Sequence, residues 1–296
     1  MPLDSSAVGT AIGPATRAVD ARWAMEYAAA LGDDLDVYLD TTRPEGILAH
    51  PVFPVTVEWA VSHEGPLPGL ASLRADEGRL GVHYDQDILL HRGLRAGDEV
   101  SLTAVLAAVE QRRSGALHVL RFDARSEQGT PLWTSVQRSL FRGVEIEGGD
   151  RRTGDLPEPP GRIDDATPLH ETIVPVTRLT PQVYTAASRI WNPIHTDEAV
   201  ARSAGLPGII LHGTATLALA VSRLLDHQAP GRPELVRRIY GRFAATVPLP
   251  NELRVRVLAV EGGRDRSSVR FDVRTVEDQP AIRDGLLEFG APEDRR

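Results

Sequence analysis

The stretch YTAASRIWNPIHTDEAVARSAGLPGIILHGTAT, Tyr184 to Thr216, brings together a candidate base, a backbone suited to holding negative charge and an apolar wall. Within it Pro193 restricts Asn192 to extended geometry, so the imidazole of His195 is carried on a fixed loop. Thr196, Asp197 and Glu198 follow as a cap and acidic first turn for a short helix, which "AVARSA" continues and Gly205 and Pro207 end. Gly213 then opens "GTATLALAVSRLL", a run of small and apolar helix formers, so its N–H is among the donors left unpaired at a helix start.

Near neutrality an imidazole both accepts and returns a proton, because its unperturbed pKa is about 6.5. The other use of such a His is structural, bonded to backbone. Asn192 either orients the site or caps the turn. The Gly213 N–H can receive an oxygen on which negative charge builds, an interaction worth about 3 kcal/mol; alternatively the glycine lets two segments pack closely. Thr214, Ala215, Thr216 and Ala218 suit a helix pressed on a sheet or lining a tunnel, and Leu211 suits core or tunnel wall. His212, before the glycine, reads as structural rather than catalytic.

The whole chain bounds these readings. Its 296 residues exceed the usual domain of roughly 100 to 200, so two moderate domains are expected. Hydrophobic residues at 42% supply a sizeable core. A formal charge of −8 argues against binding nucleic acid, whose affinity comes from neutralised phosphates. The chain has no Lys and no Cys, which excludes Schiff-base chemistry, a phosphate-loop lysine, thiol nucleophiles and thiolate metal sites. No cluster has metal-ligand spacing, no cofactor is implied, and no run of about 18 apolar residues suggests a membrane span. A cytoplasmic location is the expectation.

Two halves share one plan. Residues 1–16 are small and polar without periodicity and read as a flexible leader. "VDARWAMEYAAAL", Val19 to Leu31, is a helix with Trp23, Tyr27 and Leu31 on one face, stopped at Gly32. "GDDLDVYLD" lies over "RIWNPIHTD", setting Asp33 over Ile190 and Tyr38 over His195, and His50-Pro51 lies over His212-Gly213. Each half then alternates apolar and polar residues around a polar break, as in "NELRVRVLAVEGGRDRSSVRFDVRTVEDQ", the pattern of antiparallel hairpins. Residues 145–168, rich in Gly, Pro and charge, read as a linker between units spanning 17–144 and 169–296.

The core "WNPIHTD" with "LHGTAT" resembles the signature of the MaoC-like, (R)-specific enoyl-thioester hydratases and dehydratases. That pattern runs Ser-Gly-Asp-x-Asn-Pro-(Ile/Leu)-His, and Ser188, Asn192, Pro193, Ile194 and His195 match it; Arg189 and Ile190 stand where Gly and Asp belong. The layout resembles the family's double-hotdog subgroup, so the resemblance implies an α+β fold of two fused hotdog units, each an antiparallel sheet wrapped around a long central helix, the two sheets joined side by side.

It further implies an acyl thioester of coenzyme A or acyl carrier protein as the partner; a homodimer is one assembly open to it, and charge and hydropathy leave no nucleic-acid or membrane partner expected. The implied activity is hydration of an enoyl thioester or dehydration of its 3-hydroxyacyl product. His195, Asn192 and Gly213 would form the catalytic group, and Ile190, Trp191, Leu211, His212 and Thr214 the substrate-binding group. Replacing a carboxylate that orients a catalytic imidazole costs roughly 10⁴ in turnover in a serine protease, so Ile190 raises three further readings: altered chemistry beside a thioester, a catalytically degenerate binding or partner subunit, and a thioesterase. Asp33, Asp85 and Asp87 are the candidate substitute carboxylates; if the units pair about a two-fold axis, Asp33 belongs to the opposite pocket.

Overall fold

The computed structural model describes residues 2–63, 65–71, 73, 81–163, 166–263 and 266–290. In the N-terminal half, β1 (Leu3–Asp4) precedes five sheet strands: β2 (Ala11–Ala18), β3 (Gly81–Leu90), β4 (Glu99–Arg112), β5 (Gly115–Ser126) and β6 (Pro131–Arg142). Between β2 and β3 come α1 (Ala21–Ala30), α2 (Asp36–Leu39) and α3 (Pro54–Ser62). Two short strands, β7 (Ile146–Glu147) and β8 (Arg151–Arg152), lie in the connection.

The C-terminal half repeats the plan with β9 (His170–Val176), β10 (Val236–Phe243), β11 (Asn251–Gly262), β12 (Arg266–Arg274) and β13 (Pro280–Gly290). Its helices are α4 (Thr180–Ser188), α5 (Glu198–Ser203) and α6 (Gly213–Gln228).

One antiparallel sheet runs β2-β4-β5-β6-β3-β10-β13-β12-β11-β9, so the strand order of one half is the reversed image of the other. The halves join where β3 pairs with β10, from Leu89 opposite Arg238 to Asp85 opposite Arg242. This is a double hotdog, with the two sheets meeting edge to edge and covering the strands that each unit alone would leave open. The expected hairpins are β4–β5 and β11–β12, whose buried residues largely alternate with more exposed ones until the outer face is covered as well, in β4 by Leu156 and β8.

The inner face holds the helices. The central helix α6 has 16 residues and buries Thr214 through Ser222, with Gly241 of β10 admitting Leu217 against the sheet. Its counterpart α3 has nine residues, shorter than the long helix expected in each unit. β-Branched Val55, Thr56, Val57 and Val61 lower its propensity, and Gly65, Pro66 and Pro68 follow closely.

The leader expected over residues 1–16 is instead built into the fold. Leu3 is fully buried, β1 pairs with β7, and β2 forms the sheet edge along β4. Backbone pairing orders β2, since most of its side chains are exposed and carry no apolar period. The segment 145–168 crosses the outer face of the sheet, where guanidinium groups from the strands hold its carbonyls: Arg138 to Pro157 at 3.2 Å, Arg238 to Glu158 at 2.7 Å and Arg270 to Gly161 at 2.6 Å. A cavity of about 360 Å³ lies beneath it, lined by Tyr84, Asp85, Arg138, Tyr240 and Arg242 among others.

Candidate active site

Helix α4 ends at Arg189, which takes the left-handed conformation (φ 59°) that costs a side chain about 1 kcal/mol and that glycine adopts freely. This is the residue standing where the motif has Gly. The equivalent turn after α1 uses Gly32 (φ 77°). Arg189 is held there by its guanidinium, 4.1 Å from the Trp23 ring centroid, while the Trp23 indole N–H donates to the Ala187 carbonyl at 3.0 Å. The turn delivers Ile190 into the core, 4% exposed, at the position of the motif's carboxylate.

The chain then runs extended through Asn192, whose side-chain oxygen accepts from the Ile194 N–H at 3.4 Å and caps the short 3₁₀ turn Pro193–His195. Of the two uses open to Asn192, this is the turn cap. His195 is 9% exposed, and its Nδ1–H donates to the Ile210 carbonyl at 2.8 Å, which fixes the tautomer with a lone pair on Nε2. Asp197 caps α5 by accepting from the Ala199 and Val200 N–H groups.

His212 stacks on His195 with ring centroids 3.7 Å apart and is the cap residue of α6. Its Nε2 meets the Thr185 hydroxyl at 3.1 Å, and its buried Nδ1 makes no well-aligned hydrogen bond, with the Ile190 backbone alongside the ring. The first intrahelical bond of α6 runs from Thr216 N–H to the His212 carbonyl, so the N–H groups of Gly213, Thr214 and Ala215 precede the ladder. The imidazole of His195 thus lies beside His212, directly before the positive end of the central helix.

A Cβ on Gly213 would sit 3.0 Å from the Phe243 ring, so the glycine serves close packing as well. Leu211 is a core residue, 3% exposed, with its N–H on the Val247 carbonyl. Thr214 is 9% exposed beside the Tyr184 hydroxyl. Trp191 stands apart from the group, its ring 69% exposed to solvent. The structure therefore brings together His195, His212, Gly213 and Thr214, with Ile190 and Leu211 as apolar packing behind them.

Burial lowers the pKa of His195 to about 4, opposed by the Ile210 carbonyl. Burial, with His195 adding to it, holds His212 well below its ordinary value. Both rings are neutral at physiological pH.

None of the three substitute carboxylates is bonded to His195. Asp33 accepts from the Ser222 hydroxyl at 2.8 Å and from Arg223 at 2.9 Å, with His50 Nε2 3.7 Å away. Ser222 is nine residues along α6 from Gly213, roughly 13 Å at helical rise. Asp33 therefore belongs to the N-terminal counterpart of the site. Asp85 and Asp87 face the outer side, paired with Arg138 and Arg238. In the counterpart, Tyr38 replaces His195, its hydroxyl is buried without a hydrogen-bond partner, and the void beside His50 is only about 10 Å³.

Sequence reasoning passed over Ser222 and Arg223, which tie the halves together through Asp33. No local signal marks them, since they fall within an ordinary helical run.

Residues 162–279 match the family model described as MaoC like domain, and residues 6–134 match the FAS1-like, dehydratase domain region. The chain is similar to a probable enoyl-CoA hydratase 2 of Dictyostelium discoideum, 26% identical over 58% of this chain and 60% of that one. It is 39% identical to a peroxisomal enoyl-CoA hydratase 2 of Arabidopsis thaliana over 25% of this chain and 24% of that one. Similarity to the 3-hydroxyacyl-thioester dehydratase X of Mycobacterium tuberculosis is 26% over 62% of this chain and 61% of that one. The chain thus aligns with less than two thirds of each of these relatives.

Among solved structures, a MaoC-like dehydratase from Phytophthora capsici superposes with a TM-score of 0.83 at 19% identity, covering 97% of both chains. A Mycobacterium tuberculosis protein described as a double hotdog fold gives a TM-score of 0.62 at 16% identity, over 96% of both. Each half thus matches a dehydratase-type family model, and the chain as a whole shares the double-hotdog fold of these structures.

Proposed function

We propose that the chain is a hydro-lyase acting on acyl thioesters, adding water across an enoyl thioester or removing it from the 3-hydroxyacyl form, with one site in the C-terminal unit. The observation that carries this reading is the His195 ring, its Nε2 lone pair free and its plane stacked on His212 at the start of α6. In the hydration direction Nε2 takes a proton from water as the oxygen bonds to C3 and the C2–C3 π pair moves toward the carbonyl. Negative charge on that oxygen is met by the first-turn N–H groups of α6. The protonated imidazole then returns its proton to C2, so water is added and the ring is reset. The acyl group is carried on coenzyme A or a carrier protein, and the homodimer stays an assembly to be measured.

The test is hydration of a crotonyl thioester followed by loss of its conjugated absorbance. His195→Ala is expected to lower kcat/KM by about 10³ or more. A purified protein that hydrates no enoyl thioester of any chain length, yet binds acyl thioesters, overturns the reading.

One observation favours a second reading. Ile190 makes the motif's carboxylate position apolar, which suits a binding or partner subunit that has lost turnover; His195→Ala would then leave its function unchanged.

A further inference from the structure

Strict alternation along β3 would set His83 on the outer face with Asp85 and Asp87. It does not lie there. The register with β6 shifts between His83 and Asp85, leaving Tyr84 as an extra residue that packs outward with Leu117 and Val119. Bulges of this kind re-aim a side chain, often beside an active site. Here the bulge turns His83 to the inner face, where its ring meets Phe243 edge-on at 4.7 Å. Phe243 is the ring that lies against Gly213.

His83 thus approaches the start of α6 from the other half of the chain. Its Nε2 is buried and has no hydrogen-bond partner, an arrangement that costs about 1–3 kcal/mol and calls for an explanation. Behind the ring, Gln86 lies on the same face and donates to Glu58 at 3.2 Å. Glu58 also accepts from Ser135 at 2.6 Å and from the Trp133 indole at 2.8 Å. The Gln86 side chain and the Asp85 backbone bond the His83 ring, so a polar chain from α3, β3 and β6 backs the imidazole, while its Nε2 is left without a partner.

We propose that His83 is a second imidazole of the active site, contributed by the N-terminal unit, whose Nε2 hydrogen-bonds the oxygen on the third carbon of the substrate. That oxygen is the incoming water in hydration and the 3-hydroxyl in the reverse direction. His83 accepts a hydrogen bond from the water's second O–H, whose hydrogen stays on the oxygen, while His195 takes the first proton, so His83 undergoes no net change. It supplies the acceptor that a carboxylate at position 190 would have offered. The inference rests on the hydro-lyase reading for its chemistry, while its ligand contact is measurable without turnover.

In steady-state hydration of a crotonyl thioester, His83→Phe is expected to lower kcat at least about 100-fold with little change in KM. His83→Gln, whose side-chain oxygen reaches toward the Nε2 position, is expected to stay within about tenfold of the parent. Thermal melting of both variants shows that they are folded. His83→Phe that keeps parental kcat overturns the proposal, as does equal loss in both folded variants. Independently, ¹⁵N spectra of histidine-labelled protein are recorded with 3-hydroxybutyryl-coenzyme A, His83 being assigned from the His83→Gln spectrum. A shift of the His83 Nε2 resonance on saturation is expected; saturation without a shift overturns the contact. If the parent chain shows no turnover but the resonance shifts, the hydro-lyase reading fails and the contact stands.

Discussion

Ile190 occupies the one place where a single atom group separates two chemistries. Its side chain fills core space that a carboxylate would enter at a desolvation cost, unless the His195 and His212 rings or the first turn of α6 compensated it. Ile190→Asp is expected to raise the hydration rate and to lower stability by about 2–3 kcal/mol, checked by paired kinetics and denaturant unfolding. A variant with no gain in rate would mean that the neighbouring groups have been rebuilt around the apolar residue. The depressed pKa of His195 sets a second expectation. A ring protonated only near pH 4 stays a base throughout the ordinary acid range, so kcat/KM should hold its plateau below pH 6 and fall toward 4. An acid limb centred near 6.5 would show a ring more solvated than this one.

Glu58 gives a residue-scale expectation for stability. Burial raises its pKa from 4.5 to about 7, against the hydrogen bonds from Ser135, Trp133 and Gln86. Because the folded value lies above the unfolded one, its contribution is fully present below pH 4.5 and is lost as pH rises through 7. Glu58→Gln, with Gln86 turning its amide to match, is expected to remove about 2–3 kcal/mol of the stability change between pH 5 and 8.5. Chemical unfolding at the two pH values measures this.

At the scale of elements, the entry to α6 does two jobs with one residue. Gly213 leaves room for Phe243 of β10 and presents its N–H before the helical ladder begins. Gly213→Ala should therefore lose both stability, by about 1–3 kcal/mol, and activity. Adding Phe243→Leu should restore the melting temperature; activity that returns with it assigns the glycine to packing, and activity that stays low assigns it to the substrate oxygen.

The elements also show what a sequence reveals. Strands β4, β5, β11 and β12 announce themselves because one face of each is dry, which imposes alternation. The edge strand β2 does not, since "AIGPATRA" is half-exposed and ordered by backbone bonds to β4. The motif from Asn192 to His195 was legible as a loop holding an imidazole, because Pro193 and the Asp197 cap act locally. His83 was not legible as an inner-face residue, because a one-residue bulge reverses the facing that alternation assigns. The exposure of Trp191 was not legible either: neighbourhood in a motif says little about which way an extended segment points a side chain.

Across the whole molecule, duplication and a side-by-side joint were visible in the sequence, but which strands make the joint was not. β10 reads "VRRIYGRF", without a clean period, because its outer residues are polar partners for β3 and the overlying segment: Arg238 pairs with Asp87 and donates to the Glu158 carbonyl, and the Tyr240 hydroxyl donates to Asp85 at 3.3 Å. These groups identify one another only once the two sheets lie side by side. The inner face of the same joint carries Ile239, Gly241 and Phe243, against which α6 rests.

Two sites descended from one plan have thus diverged inside a single polypeptide: an imidazole tied to backbone through Nδ1 in one, a sealed tyrosine and an ion-paired aspartate in the other. Covalent fusion fixes their ratio. Calorimetric titration with an acyl thioester should accordingly reach equivalence at one ligand per chain, whereas an assembly of identical subunits would take one for every unit.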